Sequence, residues 1–250
     1  METNNDYRLV PGFRNSFGTG WEVMQDNFLR LFLVVIIIAI LTAPLKMFDF
    51  KFDLSDFNNI PYGLGHELGE NLSRLFTIGA MGMLAVFLGL LALLYSFLVA
   101  PVFIYGSDFI FVQAVRRIKP DFEYLVKGFM ENYFTIVLAH LLVTALVVMG
   151  FFMLIIPGII IACRLVFVSY IVMDKKIDPI EAVEMSWRLT RGHGWRIFLM
   201  GIASFFIVIF GLLLLIVGVF PAVIWIGSSF ASMYESVLRQ KEPVVVSSAA

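Results

Sequence analysis

The sequence predicts an all-α integral membrane protein with six transmembrane helices, and its composition, its apolar runs and the placement of its charges support this fold class. Of its 250 residues, 60% are hydrophobic and 15% are charged, whereas a soluble domain has roughly 45–50% apolar and about 25% charged residues. Such a composition cannot cover a globular surface with water-soluble side chains. Lipid is therefore the expected solvent for most of the chain.

The first two spans follow from the N-terminal apolar runs, because about 20 apolar residues cross a bilayer as a helix. Residues 31–45 supply the first span. Residues 75–115 exceed one crossing but are too few for two, so they are predicted to form one long helix kinked near Pro101. Charged residues are scattered through the first 27 positions, unlike a cleavable signal peptide, so the first span is expected to stay in the mature chain.

Proline and glycine divide the two remaining apolar runs into hairpins, because proline cannot donate within a helix and glycine eases a turn. Ile156-Pro157-Gly158 is the predicted turn of the first hairpin, with spans near 133–155 and 159–174. Gly218-Val219-Phe220-Pro221 divides residues 197–234 in the same way. These two hairpins complete the six spans.

The placement of Lys and Arg predicts the orientation of the spans by the positive-inside rule. Fourteen of the 18 basic residues lie in the N-terminus, in residues 116–131 and 174–196 and in the C-terminal tail, and three lie in residues 46–74. The basic segments and both termini are therefore expected to face the cytoplasm. Residues 46–74 are rich in Asp and Glu and are predicted to form the external loop.

A related basic tag follows each predicted pair of spans, which indicates an internal repeat. The tags, separated by 59 and 64 residues, are Arg116-Arg117-Ile118-Lys119-Pro120, Lys175-Lys176-Ile177-Asp178-Pro179 and Arg239-Gln240-Lys241-Glu242-Pro243. The segments before the spans correspond as well. Residues 21–33 align without gaps to residues 187–199, and Glu131-Asn132-Tyr133-Phe134 matches Asp26-Asn27-Phe28-Leu29.

These correspondences predict a single membrane domain, residues 1–250, built from three tandem repeats. Repeat 1 covers residues 14–120 and includes the external loop, repeat 2 covers residues 121–179, and repeat 3 covers residues 180–243. Each repeat is an interfacial amphipathic helix, a span, an outer turn, a second span and a basic tag. Because every repeat contains two spans, all three share one orientation.

Residues 178–191 give the clearest interfacial helix, with Asp178 and Glu181 in a capping pattern around Pro179. Helical spacing places four charged side chains on one stripe, with Glu184 paired to Arg188, and the stripe consists of Glu181, Glu184, Arg188 and Arg191. Such a helix lies along the membrane surface, where Trp187 serves as an anchor. It is either a structural belt or a docking helix for a cytoplasmic partner.

Three ionisable residues, Asp108, His140 and Arg164, fall inside predicted spans, where charged groups are costly and are usually paired or functional. At the rise of an α-helix, the number of residues between each position and the nearest polar segment places all three roughly 12–16 Å into the membrane. The repeat alignment also makes Tyr105, Arg164 and Ser228 equivalent. Three roles stay open: an Asp108–Arg164 pair with His140 as hydrogen-bond partner, a proton or ion path, and a site for an anionic lipid headgroup.

The motifs of common enzyme classes are missing from the sequence. It contains no His-Glu-x-x-His or Cys-x-x-Cys pair, no phosphate-binding loop and no Gly-x-Ser-x-Gly elbow. The 18 basic residues against 19 acidic ones leave no excess cation for a nucleic-acid partner. We therefore expect no enzyme activity, no catalytic residue, no metal and no cofactor.

Two segments carry a resemblance to a known family. They are Ile156-Pro157-Gly158-Ile159, followed by Arg164 and Asp174, and Pro179-Ile180-Glu181-Ala182, which leads through Ser186-Trp187-Arg188-Leu189 to Gly192. Over roughly residues 95–240, the chain resembles an uncharacterised bacterial family of polytopic membrane proteins related to the membrane domain of some glycerophosphodiester phosphodiesterases. The hydrolase domain of those enzymes has no counterpart here, so the resemblance transfers no catalytic residue.

The resemblance implies a multi-pass protein of the bacterial inner membrane that acts as an anchor, an assembly partner or a lipid-environment module. The expected function is a non-enzymatic structural, assembly or partner-binding module of the membrane. Its expected partners are membrane lipids and a membrane or cytoplasmic protein. The alternative is a small transporter or channel with an intramembrane polar site at Asp108, His140 and Arg164.

Overall fold

A computed structural model describes residues 9–47, 68–214 and 218–241 of the chain, and these residues form eleven α-helices without a strand among them. The helices are α1 Phe13–Asp26, α2 Phe28–Met47, α3 Leu68–Leu98, α4 Ala100–Val115, α5 Tyr124–Glu131, α6 Tyr133–Met153, α7 Ile155–Leu165, α8 Val168–Lys175, α9 Pro179–Thr190, α10 Gly194–Leu213 and α11 Val219–Lys241. Most of the predicted external loop, residues 46–74, lies outside the described residues. Glu242 and Pro243 of the third basic tag lie outside them too.

Two compact units divide the chain: one contains residues 1–39 and 101–250, and the other contains residues 40–100. In the smaller unit, the Tyr95 hydroxyl donates to the Leu41 carbonyl at 2.8 Å. The predicted break near Pro101 lies at Val99, between the end of α3 and the start of α4. The polar clusters and the cavity described below lie in the larger unit.

The prediction of a helical membrane protein is confirmed at the level of fold class. Four segments of the described chain are long and apolar enough to cross a membrane: Gly82–Val115, Tyr133–Met153, Ile155–Lys175 and Gly194–Leu213. A fifth is counted if Phe13–Asp26 and Phe28–Thr42, which meet at 95°, form one bent span. Helix α11 is not among these segments, and its C-terminal half is largely buried within the protein.

The first hairpin turn lies slightly earlier than predicted. Leu154 alone, with an extended backbone of φ −171° and ψ 154°, separates α6 from α7, so Pro157 is the third residue of α7. Pro221 is likewise the third residue of α11. The first backbone N–H groups of a helix have no acceptor inside it, so proline is tolerated there without the loss of a hydrogen bond. Each proline therefore opens a helix instead of forming the turn.

Glycine pairs bring the two helices of each hairpin into close contact. A Cβ built on Gly150 would lie 3.0 Å from Cα of Gly158, and one built on Gly158 would lie 2.9 Å from the backbone N of Phe151. In the other hairpin, a Cβ on Gly211 would lie 2.8 Å from the carbonyl oxygen of Gly218. Small residues permit this backbone approach between membrane helices.

The same backbone conformation precedes α2, α6 and α10. Asn27 has φ −121° and ψ 19° before α2, Asn132 has φ −135° and ψ 26° before α6, and His193 has φ −116° and ψ 0° before α10. These three residues are equivalent in the sequence alignment. Two basic tags also share a feature, since Arg117 and Lys176 have left-handed backbones with φ of 59° and 53°.

Three short helices, α1, α5 and α9, each precede a predicted span and pack against other helices of the larger unit. Helix α5 contacts α4, where a Cβ on Gly106 would lie 3.0 Å from Cα of Leu125. Helix α9 contacts α6, α7 and α8. Helix α1 lies against α11, where Nε1 of Trp225 donates to the Phe17 carbonyl at 2.9 Å. Helices α1 and α11, which are far apart in the chain, are therefore in direct contact.

Candidate functional site

Arg116, at the end of α4, joins two buried carboxylates. Its Nη2 donates to Oδ2 of Asp174 at 2.8 Å, and its Nε donates to Oε2 of Glu235 at 2.8 Å. The Tyr234 hydroxyl donates to Asp174 at 2.9 Å, and Nε of Arg239 donates to Glu235 at 2.8 Å. The side chains of Asp174 and Glu235 are 8% and 6% exposed. This central ion-pair network, consisting of these five residues, ties α4 and α8 to α11.

The network contains two cations and two carboxylates, and hydrogen bonds join them. Burial of the guanidinium opposes its charge, but hydrogen bonds and the charges of Asp174 and Glu235 outweigh that effect and raise the pKa of Arg116 above its ordinary value. Buried ion pairs offset their desolvation only when geometry and hydrogen bonding are good. Here the guanidinium fork meets Asp174 with two nitrogens, the arrangement that favours a bidentate pair.

Sequence reasoning missed this network. The sequence pattern places Arg116 in a basic tag at the membrane surface and predicts no ion pair for Asp174 or Glu235. The predicted repeat offers a usable signal, because Asp174 and Glu235 follow Arg116 by 58 and 119 positions. These spacings are close to the separations of the three basic tags, and the three residues lie at or near the ends of α4, α8 and α11.

Asp108 belongs to a separate polar cluster on α4 and α8. The Ser169 hydroxyl donates to its carboxylate. The side chains of Tyr105 and Tyr170 lie near the same carboxylate. The Tyr105 ring also lies 6.3 Å from the His140 ring, measured between centroids. A cavity of about 300 Å³ borders Asp108 and is lined by residues of α2, α4, α8 and α11.

Arg164 is not part of the Asp108 cluster. Its guanidinium carbon lies 5.6 Å from the ring centroid of Trp187 on α9, and an Asp108–Arg164 ion pair is not among those of the described residues. Ser228 is fully buried on α11, and its hydroxyl lacks a partner among the described residues. The predicted pairing is therefore not formed, because residue counting estimates depth along a helix but not direction around it.

The backbone near Arg164 shows how α9 is held. Helices α7 and α8 are interrupted at Val166 and Phe167, and the Arg164 carbonyl lies just before this break. The Ser186 hydroxyl donates to that carbonyl at 2.7 Å and the Thr190 hydroxyl at 3.3 Å. An unpaired buried carbonyl is costly, so these two hydroxyls stabilise the interruption and attach α9 to it.

The charged stripe of α9 faces outward as predicted. Glu181, Glu184, Arg188 and Arg191 are exposed, while the opposite face is buried and consists of Ala182, Met185, Ser186, Leu189 and Thr190. Helix α9 begins at Pro179 as predicted.

Two details of the α9 prediction are wrong. The Asp178 side chain makes no capping hydrogen bond in the described structure, because the carboxylate is exposed and Pro179 already sets the helical φ at the first position. Glu184 and Arg188 form no ion pair within 4.0 Å among the described residues, as is common for solvated surface charges. Trp187 is 39% exposed, and its ring contacts Arg164.

In the described residues, no group of three or more His, Cys, Asp or Glu side chains has the arrangement of a metal site. Comparison of the chain with protein-family models, with curated protein sequences and with solved structures gives no match. The assignment of a function therefore depends on the geometry described above.

Proposed function

We propose that this chain is a multi-pass inner-membrane protein that acts as a non-enzymatic scaffold for membrane or cytoplasmic partners. In this proposal, six spans form three tandem units of an interfacial helix and a hairpin, with both termini and α9 in the cytoplasm. The central ion-pair network is the observation that carries the proposal. It fixes the ends of three helices with buried charges, which suits a rigid framework better than a moving one.

Several helix boundaries support the three-unit organisation. Helices α2, α6 and α10 begin at aligned positions, after residues of the same backbone conformation. Pro157 and Pro221 occupy the third position of aligned helices, and Arg117 and Lys176 are left-handed at aligned positions. Chance similarity of short apolar segments would not be expected to reproduce such local geometry at corresponding positions.

The charged stripe of α9 is the proposed partner-binding surface. Its four exposed side chains carry both signs of charge, and its buried face is attached to the break between α7 and α8. A helix held in this way presents a fixed pattern of charges, and complementary charges give a partner specificity and orientation.

Photo-crosslinking in native membranes tests the partner-binding surface. With a photoreactive residue at Glu184, we expect a discrete protein adduct that disappears when Glu181 and Arg188 are both replaced by alanine. Phe206, which is 61% exposed on α10, is the matched control position and should give lipid adducts only. Identical adducts from both positions, or only lipid adducts from Glu184, would contradict the proposal.

A small transporter is the second candidate, and the cavity beside Asp108 is the observation that favours it. Arg164 does not line that cavity, which weakens the predicted three-residue path. The scaffold proposal expects that purified protein in liposomes leaves the proton leak at the protein-free rate, measured with an enclosed pH-sensitive dye. A faster leak that Asp108→Asn abolishes would instead establish transport through this cluster.

A further inference from the structure

The cavity of about 300 Å³ beside Asp108 is half-open and mostly apolar. Ile104 and Val223 are 39% and 37% exposed and belong to its lining, so the cavity opens to the surroundings of the protein. The polar part of the lining consists of Ser107, Asp108 and Tyr170. The volume is within the range of pockets that hold small organic molecules.

Asp108 supplies the accessible polar group of this cavity. Ser107 and Tyr170 are only 6% and 5% exposed, and the Ser107 hydroxyl already donates to the Ile104 carbonyl at 2.7 Å, whereas Asp108 is half-buried. In the interior of α4 the backbone N–H and C=O groups bond within the helix. The carboxylate is therefore the group of Asp108 that a molecule in the cavity meets.

The charge of this carboxylate calls for a cation. Asp108 accepts a hydrogen bond from the Ser169 hydroxyl, but it is not a member of the ion pairs in the part of the chain that the structure describes. A carboxylate offers about four acceptor positions, so one hydroxyl leaves room for further donors. Ionisable groups at membrane depth are costly and are usually paired. The complement of this cavity is therefore a positively charged molecule.

The aromatic lining indicates which kind of cation fits. The side chains of Phe111, Tyr170 and Phe230 form part of the cavity wall, and aromatic rings attract cations most strongly where water is excluded. Hard metal ions are held by six or more oxygen atoms, and a cavity lined mostly by carbon offers too few. An organic ammonium ion instead sets its charge against the carboxylate and its hydrocarbon part against the apolar walls.

We propose that this cavity binds one small organic ammonium ion, with its charged nitrogen at the Asp108 carboxylate and its hydrocarbon part against the aromatic side chains. This site goes beyond the scaffold function and does not depend on it. Asp108 lies about two helical turns before the end of α4 at Val115, roughly 10 Å along the helix axis. The amine of a lipid headgroup stays at the membrane interface, so the expected ligand is a free molecule.

Equilibrium dialysis of the full chain in detergent tests the proposal, with radiolabelled benzyltrimethylammonium as the probe, its uncharged isostere neopentylbenzene for comparison and protein-free micelles as the blank. At about pH 8, where carboxylates are ordinarily ionised, we expect saturable binding of one benzyltrimethylammonium ion per chain. Asp108→Asn should weaken that binding about tenfold, as the loss of one desolvated charge contact does, and should leave neopentylbenzene binding unchanged.

Glu22→Gln is the matched control, because it removes one exposed negative charge on α1. It should leave the binding of both compounds unchanged. If the wild type does not bind benzyltrimethylammonium, or if Asp108→Asn binds it as tightly as the wild type does, the proposal is wrong.

A second variant keeps the carboxylate in place. Ile104→Phe should fill the cavity from a partly exposed position and weaken the binding of both compounds by about three- to tenfold, so the proposal remains testable if Asp108→Asn does not fold. Two competitors supply the remaining arms. If replacing potassium by sodium at constant ionic strength displaces benzyltrimethylammonium and Ile104→Phe has no effect, the site takes an inorganic cation and the proposal is wrong. Displacement by phosphatidylethanolamine would assign the site to a lipid amine and would also overturn it. If neither competes and Ile104→Phe weakens binding, the assignment to a free organic cation is supported.

Discussion

Replacing Arg116 with alanine is expected to lower the free energy of unfolding by about 3–5 kcal/mol, because it leaves buried carboxylates without their partner. Asp174 and Glu235 are 8% and 6% exposed at their side chains and Arg116 is 23% exposed, so water replaces the guanidinium only in part. Arg239 still pairs with Glu235, which leaves Asp174 with Tyr234 alone. The shift can be measured by denaturant titration of the purified protein in detergent micelles.

Lys127→Ala is the matched control for Arg116→Ala. Lys127 is a partly exposed cation that pairs with the exposed Glu131 one helical turn away, with 3.6 Å between Nζ and Oε1. Exposed pairs of this kind contribute little, so the unfolding midpoint of Lys127→Ala should match that of the wild type. If Arg116→Ala shifts the midpoint no more than Lys127→Ala does, the central ion-pair network does not hold the three helices together.

Gly20→Ala is expected to destabilise the protein by about 1–3 kcal/mol, because an added methyl group overpacks the contact between α1 and α11. A Cβ on Gly20 would lie 2.8 Å from both Cα and N of Ser229, and backbone atoms cannot move aside as a side chain can. The change can be followed as the temperature at which the detergent-solubilised protein loses its monodisperse elution peak.

Gly18→Ala provides a control on the same helix. A Cβ on Gly18 would meet nothing within 4 Å, and alanine is a better helix former than glycine by about 0.5–1 kcal/mol. This variant should therefore be as stable as the wild type or slightly more stable. Equal stability of Gly20→Ala and Gly18→Ala would contradict the close packing of α1 on α11.

The fold class was predictable because apolar composition alone determines which solvent the chain needs. The starts of α2, α6 and α10 were also predictable, since the same short pattern precedes each helix and produces the same backbone conformation. The turn at Leu154 was misplaced by two residues, because proline was interpreted as the turn and not as the opening of the next helix. Local sequence rules thus located elements better than their ends.

The central ion-pair network was not predictable in the same way, because it depends on tertiary contacts. Arg116 stands at a polar edge, where a basic residue is normally solvated, and its partners are 58 and 119 positions away. For Asp108 and Arg164, the sequence identified the residues but not their contacts. Both were recognised as costly charges, but hydropathy carries no information on the helix face, and in the structure one contacts Ser169 and the other Trp187.

The contact between α1 and α11 has a consequence for biosynthesis. The Trp225–Phe17 hydrogen bond joins residues 208 positions apart, so at typical elongation rates α1 leaves the ribosome about 10–40 s before its partner exists. During that interval the face around Gly20 lacks its final neighbour and is available to insertases and chaperones. The packing of α1 is therefore completed only after α11 has been made, and a nascent chain halted before α11 would present α1 without its partner to membrane quality control.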